Sequence, residues 1–195
     1  MIEPKPLFIE RISKLLPDKK DFAKFLKIIH IPLQITIRCN TLKISPEKLK
    51  KRLEKKWKLS QPYPQKEIMV IQSKLEPGEL GKSIEHLLGY YYVQEISSMM
   101  PMLALKPKPH ESLLDLCASP GSKTTQAAAL MNNTGFILAN DKSLGRIIIL
   151  NSNLERCGVT NQLVTCEDGK KLVKRLEKKI ILPVLIVIRH MLSAP

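Results

Sequence analysis

The stretch Leu113-Leu114-Asp115-Leu116-Cys117-Ala118-Ser119-Pro120-Gly121-Ser122-Lys123-Thr124 decides the fold. An apolar run ends on an acid, a turn of small residues follows, and a helix begins. In open parallel sheets, ligands sit beyond the carboxyl ends of the strands, where strand order reverses. Ala118, Ser119, Gly121 and Ser122 keep side-chain bulk away from such a ligand, and Gly121 permits an unusual backbone angle. The first N–H groups of the helix would face it. The run is not a phosphate loop, although Gly121-Ser122-Lys123-Thr124 imitates the end of one. Leu116 stands where the first glycine of that loop is required. A dinucleotide fingerprint is absent too, since it needs three glycines and this turn has one.

Outward from the turn, strands and helices alternate. Ser112 to Leu116, Gly135 to Ala139, Gln162 to Cys166 and Val184 to Ile188 read as strands. Lys123 to Met131, Leu144 to Arg156 and Lys170 to Lys178 read as the helices between them. This rhythm predicts an α/β fold of Rossmann type over 106–195, with about four parallel strands and right-handed crossovers. Asp141 lies 20 positions beyond Gly121 and closes the second strand, where a carboxylate can accept both ribose hydroxyl hydrogens. Asp168 follows the third strand and could accept from an adenine amino group. Any one of these aspartates is equally well read as a cap of the next turn or helix. Three acids at three successive strand ends, Asp115 included, favour a nucleotide ligand.

Residues 1–78 predict a small α+β unit. Two helical stretches flank Pro17-Asp18, and Gln34 to Asn40 alternates as a half-buried strand. Ser45 can cap a basic helix running to about Lys58, with Pro46 suited to its first position. Ile68 to Ile71 is a second strand. Residues 79–105 read as a connector followed by a helix from Ile96 to Leu105.

Lysine and arginine number 32 against 18 acids, a net charge of +14. That excess favours a polyanionic partner and salt-sensitive binding. No apolar run approaches the roughly 18 residues of a membrane span, and the charged N-terminus does not read as a signal peptide. Cys39, Cys117, Cys157 and Cys166 form no C-x-x-C pair, so neither a metal site nor a disulfide framework is expected, and a cytoplasmic setting follows.

Tyr91-Tyr92-Val93-Gln94-Glu95-Ile96-Ser97-Ser98-Met99, together with Asp115 to Thr125, resembles the Nop/Sun (Fmu-type) family of RNA cytosine-5 methyltransferases. Arg38-Cys39-Asn40-Thr41-Leu42 looks like the Arg-x-Asn-Thr segment of that family's RNA-recognition-like N-terminal domain. The resemblance implies that Cys117, Ala118, Ser119, Pro120, Gly121, Ser122 and Lys123 wrap S-adenosylmethionine, with Asp141 on the ribose and Asp168 near the adenine. It implies RNA as partner, tRNA first and rRNA second, met by Arg38, Asn40, Lys50, Lys51 and Arg52. Further lysines over Lys170 to Lys179 are expected on phosphates. Two departures appear: Ser119 stands for the usual alanine, and Ser122 for a glycine that would crowd the cofactor less.

Attack by cytosine carbon 5 needs a thiolate added at carbon 6, which is covalent catalysis by an activated cysteine. The family is expected to supply two cysteines, in Asp-Ala-Pro-Cys after the fourth strand and in a later Thr-Cys-Ser. Neither segment occurs in the 195 residues. The four cysteines present read as small packing residues, and His190 as a terminal residue rather than an acid-base group. No catalytic residue is therefore assigned, and the chain is expected to be a truncated or altered-end product, inactive alone. The rival expectations are a non-catalytic RNA-binding protein that retains the cofactor, and a methyltransferase for another substrate class.

Overall fold

The computed structural model describes residues 4–177, so the expected strand Val184 to Ile188 and His190 lie outside the described residues. The chain divides into a unit ending at Gln34 and a unit beginning at Ile35.

The first unit is a helical pair, α1 (Pro6–Leu15) and α2 (Lys19–Ile28). Pro6 opens α1 with a preset φ and no N–H to lose. Asp18 caps α2, accepting from the N–H groups of Lys20 and Asp21 at 2.7 and 3.0 Å. The Phe8 and Phe25 rings meet at 6.2 Å.

The second unit holds two sheets. The first is antiparallel, in the order β2 (Leu59–Ser60), β3 (Ile68–Ile71), β1 (Ile35–Cys39), β4 (Tyr91–Val93). β4 falls inside the stretch read as a connector. It pairs Ile37 with Val93, Arg38 with Tyr92 and Cys39 with Tyr91, so this sheet extends well past residue 78. Helix α3 (Pro46–Leu53), capped by Ser45, buries Leu49 and Leu53 against Ile37, Met69 and Tyr91. It ends sooner than its basic run, because the chain turns after Leu53 to drive Trp57 into this core. There the indole Nε1 donates to Glu79 Oε1 at 2.6 Å. The short helices α4 (Glu79–Lys82) and α5 (Ile84–Leu87) lead into β4.

The second sheet is parallel: β5 (Ser112–Asp115), β6 (Phe136–Asn140) and β7 (Gln162–Thr165), with β6 central among the described strands. Successive side chains point to opposite faces. Leu113, Ile137 and Ala139 pack beneath α7 (Ser122–Leu130) and α8 (Leu144–Cys157). Leu114 and Leu138 pack beneath α9 (Gly169–Glu177) through Leu172. Burial on both faces is why Leu113-Leu114 of β5 and Ile137-Leu138-Ala139 of β6 are apolar on successive residues, whereas Leu163 of β7 is exposed. Ala127 and Ala128, both fully buried, let α7 lie close to the sheet. Helix α6 (Ile96–Leu105) packs on α7 from the far side.

The two sheets approach closely where Gly89 meets the end of α8. Gly89 has φ of +70°, and a Cβ there would lie 1.8 Å from the Arg156 carbonyl oxygen at the end of α8. Only glycine allows the turn before β4 to press that near.

Candidate cofactor-binding site

β5 stops at Asp115, and the chain crosses to α7 through residues 116–121. Gly121 has φ of +103°, a conformation that disfavours any side chain. It stands at the N-cap of α7, and no side chain among the described residues caps that helix. The first N–H groups of α7 therefore remain available to a ligand, with the positive end of the helix dipole behind them.

Neighbouring side chains hold this turn on every side. Asp115 is buried, and its Oδ2 accepts from Thr124 Oγ1 at 2.8 Å. Burial pushes its pKa up to about 6, against the opposing pull of Thr124, the Cys117 backbone N–H and the Lys123 charge. Lys123 Nζ reaches Ser98 Oγ at 3.0 Å, and burial lowers its pKa. The Pro120 carbonyl accepts from Tyr92 Oη and Asn153 Nδ2 at 3.1 and 2.8 Å. Ser119 Oγ donates to the Arg146 carbonyl at 2.8 Å, and Arg146 returns a bond to the Ser119 carbonyl at 2.7 Å. A serine at 119 thus gains a partner that an alanine would lack.

No motif in the sequence marks Asn140, yet it ties the three strand ends together. Its amide donates to the carbonyls of Leu116 and Glu167 at 3.1 and 2.9 Å. Its Oδ1 accepts from Thr165 Oγ1 and the Glu167 N–H at 2.9 and 3.1 Å. All four of its hydrogen-bonding capacities are used. The only signal available was an amide residue at a strand end directly before Asp141.

Asp141 lies beside this knot and is buried. Its Oδ1 accepts from the Ser143 N–H at 3.1 Å, and Arg146 Nε stands 3.2 Å from Oδ2. Asp168 is exposed, and its Oδ1 accepts from the N–H groups of Lys170 and Lys171 at 3.0 and 3.3 Å. That is the capping role weighed for it beside adenine contact. Cys117 to Lys123, Asp141 and Asp168 all stand at the carboxyl edge of adjacent strands, since β6 pairs with both neighbours. A cleft of about 200 Å³ opens between Tyr92–Glu95, Ser98, Pro120 and Ser122. Whole-ligand pockets run roughly 300–1,000 Å³, so this cleft alone does not define the site.

The residues expected on RNA divide. Arg38 and Asn40 are corrected: each side chain is 2% exposed and bonded inside the protein. Asn40 Nδ2 donates to the carbonyls of Gly89 and Cys157 at 2.8 and 2.7 Å, where the first sheet meets the end of α8. Arg38 donates to Gln94 Oε1, the Ser122 carbonyl and Thr125 Oγ1 at 2.7, 2.8 and 2.9 Å. Neither can meet a polyanion without unmaking these bonds. On α3, Lys51 is exposed, whereas Lys50 lies 3.7 Å from Glu54. Arg52 lies 3.3 Å from buried Glu85, which Lys56 also reaches at 2.9 Å.

Family models place this geometry. The model of 16S rRNA methyltransferase RsmB/F matches residues 102–192, and that of the N-terminal domain of 16S rRNA methyltransferase RsmF matches residues 5–96. The chain belongs to the Nop/Sun (RsmB/F) methyltransferase family. Among Nop/Sun relatives, it is 41% identical over 169 residues to the ribosomal RNA small subunit methyltransferase F of Erwinia tasmaniensis, covering 85% of this chain and 35% of that protein. To the protein of the same name from Vibrio cholerae it is 43% identical over 171 residues, covering 85% and 36%. The chain thus spans about a third of the length of the curated relatives it matches. Among solved structures, a methyltransferase homolog from Pyrococcus horikoshii superposes with a TM-score of 0.70 at 32% identity, over 88% of this chain and 60% of that one. NSun6 of Pyrococcus horikoshii with SFG superposes at 0.77 over 88% and 67%, and its 23% identity speaks for the fold alone. The N-terminal family model ends three residues beyond β4, in keeping with a sheet that includes Tyr91–Val93.

Proposed function

We propose that this chain is the cofactor-binding and RNA-contacting part of an S-adenosylmethionine-dependent RNA (cytosine-5) methyltransferase acting on small-subunit ribosomal RNA. The observation that carries this reading is the carboxyl edge of β5, β6 and β7. An uncapped helix start, a side-chain-poor turn and buried Asp141 stand there side by side. The free N–H groups of α7 suit a carboxylate, such as the amino-acid end of the cofactor. Asp141 suits a pair of ribose hydroxyls, and Asp168 can keep its cap on α9 while its carboxylate faces an adenine amino group. Bound cofactor would supply the electrophilic methyl group.

The named relatives favour ribosomal RNA over the tRNA expected first, and no described residue favours tRNA. With neither Pro-Cys nor Thr-Cys-Ser in its 195 residues, the chain binds cofactor and RNA but transfers no methyl group by itself. That second half of the reading matches the rival expectation of a binding protein.

Photo-crosslinking of labelled S-adenosylmethionine to the chain tests the cofactor, and filter binding with 16S rRNA fragments and with tRNA tests the partner. The reading expects labelling that S-adenosylhomocysteine competes away, tighter retention of rRNA, and no methyl incorporation. Labelling that resists competition, or methylated RNA, would contradict it.

A further inference from the structure

Arg38 is a buried cation that no Asp or Glu among the described residues pairs with. Burial draws its pKa down to about 10, so it stays charged at neutral pH. The Tyr92 ring lies 5.7 Å from its guanidinium carbon. Its three hydrogen-bond partners sort into two groups. Gln94 Oε1 belongs to the segment after β4 and is itself tied to α7, through Gln94 Nε2 and Gln126 Oε1 at 3.2 Å. The Ser122 carbonyl and Thr125 Oγ1 belong to the first turn of α7, the turn that Gly121 opens.

Stability does not account for this placement. A cation near a helix N-terminus opposes the helix dipole. Replacing buried charges by apolar residues of similar size is commonly neutral or stabilising. What a guanidinium adds is direction: a planar fork of donors that fixes the acceptors in its plane relative to one another. Here that fork spans from β1 to the start of α7.

We propose that Arg38 is a positioning residue, holding the first turn of α7, and with it the turn Cys117 to Gly121, in register with the N-terminal sheet. The part of the inference that concerns ligand affinity rests on the function proposed above. The part that concerns the turn itself does not.

Hydrogen exchange on the full 195-residue chain, without ligand, reads the turn directly. In Arg38→Met the amides of residues 119–126 should exchange about tenfold faster, the worth of roughly one well-made hydrogen bond. Arg38→Lys should resemble Arg38→Met more than the parent, because an ammonium cannot reproduce the fork. Asn40→Ala is the control. It removes an equally buried group on the same chain segment that does not touch α7, and should leave exchange over 119–126 near the parent value. Thr125→Val keeps Arg38 and removes one acceptor, so it serves if Arg38→Met does not fold, and should also speed local exchange. Titration with S-adenosylhomocysteine should show affinity lowered about tenfold in Arg38→Met and within twofold in Asn40→Ala. Unchanged exchange over 119–126 in Arg38→Met, or in Thr125→Val, would overturn the proposal. A parent chain that binds no S-adenosylhomocysteine would sink the proposed function, while the exchange comparison still decides the role of Arg38.

Discussion

Asn140 Nδ2 donates to the Leu116 carbonyl at 3.1 Å, so the residue that ends β6 fixes the first residue beyond β5. The same side chain holds Thr165, the last residue of β7, and Glu167 beyond it. Asn140→Ala would leave several buried polar groups unpaired, at a cost of about 2–4 kcal/mol. Urea unfolding should show that loss, and the variant should bind adenosyl ligands more weakly than its stability alone explains.

Asp115 predicts a pH dependence. Its folded pKa, about 6, stands above the ordinary 3.8, so the folded chain holds a proton that the unfolded chain has released between those values. Its contribution is full below about pH 4 and is lost as pH rises towards 6, amounting to about 3 kcal/mol at most. Asp115→Asn keeps an acceptor for Thr124 and removes the titration. Relative to the parent, it should gain stability between pH 4 and 7 in parallel urea titrations. A constant difference across that range would contradict the assignment.

Gly121→Ala meets two obstacles. Its φ of +103° disfavours a side chain, and the new Cβ would lie 3.1 Å from Leu150 Cδ1. The backbone term alone is about 1–3 kcal/mol. Thermal unfolding should register it, and binding of S-adenosylhomocysteine should weaken because the turn faces that ligand.

Lys51 and Arg52 are neighbours on α3 with different roles. Lys51 is exposed and has no ion pair among the described residues, so Lys51→Ala should weaken RNA binding evenly across sequences. It should also reduce the slope of log affinity against log salt by about one. Arg52→Ala strips a partner from buried Glu85 and should lower the melting temperature as well. Equal melting temperatures for both variants would contradict this division.

The parallel sheet is legible because the strand centres Leu113-Leu114 and Ile137-Leu138-Ala139, buried on both faces, are apolar on successive residues, and the helices between them carry their own period. Ser112 to Leu116, Gln162 to Cys166 and the helix after Ser143 all fall within a residue or two of β5, β7 and α8. The first strand shows what period alone conceals. Ile35, Ile37 and Cys39 alternate with polar residues, which assigns Thr36, Arg38 and Asn40 to solvent. In the fold that second face is covered, with Thr36 donating to the Gln94 carbonyl and Arg38 reaching α7. Tertiary contact across more than 80 residues of chain decides that burial, and no local pattern carries it. β4 carries no strand signal because three residues are too few for an alternation to show. Asp168 was ambiguous in the sequence for a physical reason: a carboxylate after a strand and before a helix suits a cap and a ligand alike.

The central claim is that the turn from Cys117 to Lys123, flanked by Asp141, binds an adenosyl ligand of S-adenosylmethionine type. Isothermal titration of the folded 195-residue chain with S-adenosylhomocysteine tests it most directly. Saturable heat with one site per chain, abolished or strongly weakened in Asp141→Ala, is the expected result. A correctly folded chain that shows no saturable heat up to millimolar ligand would contradict it.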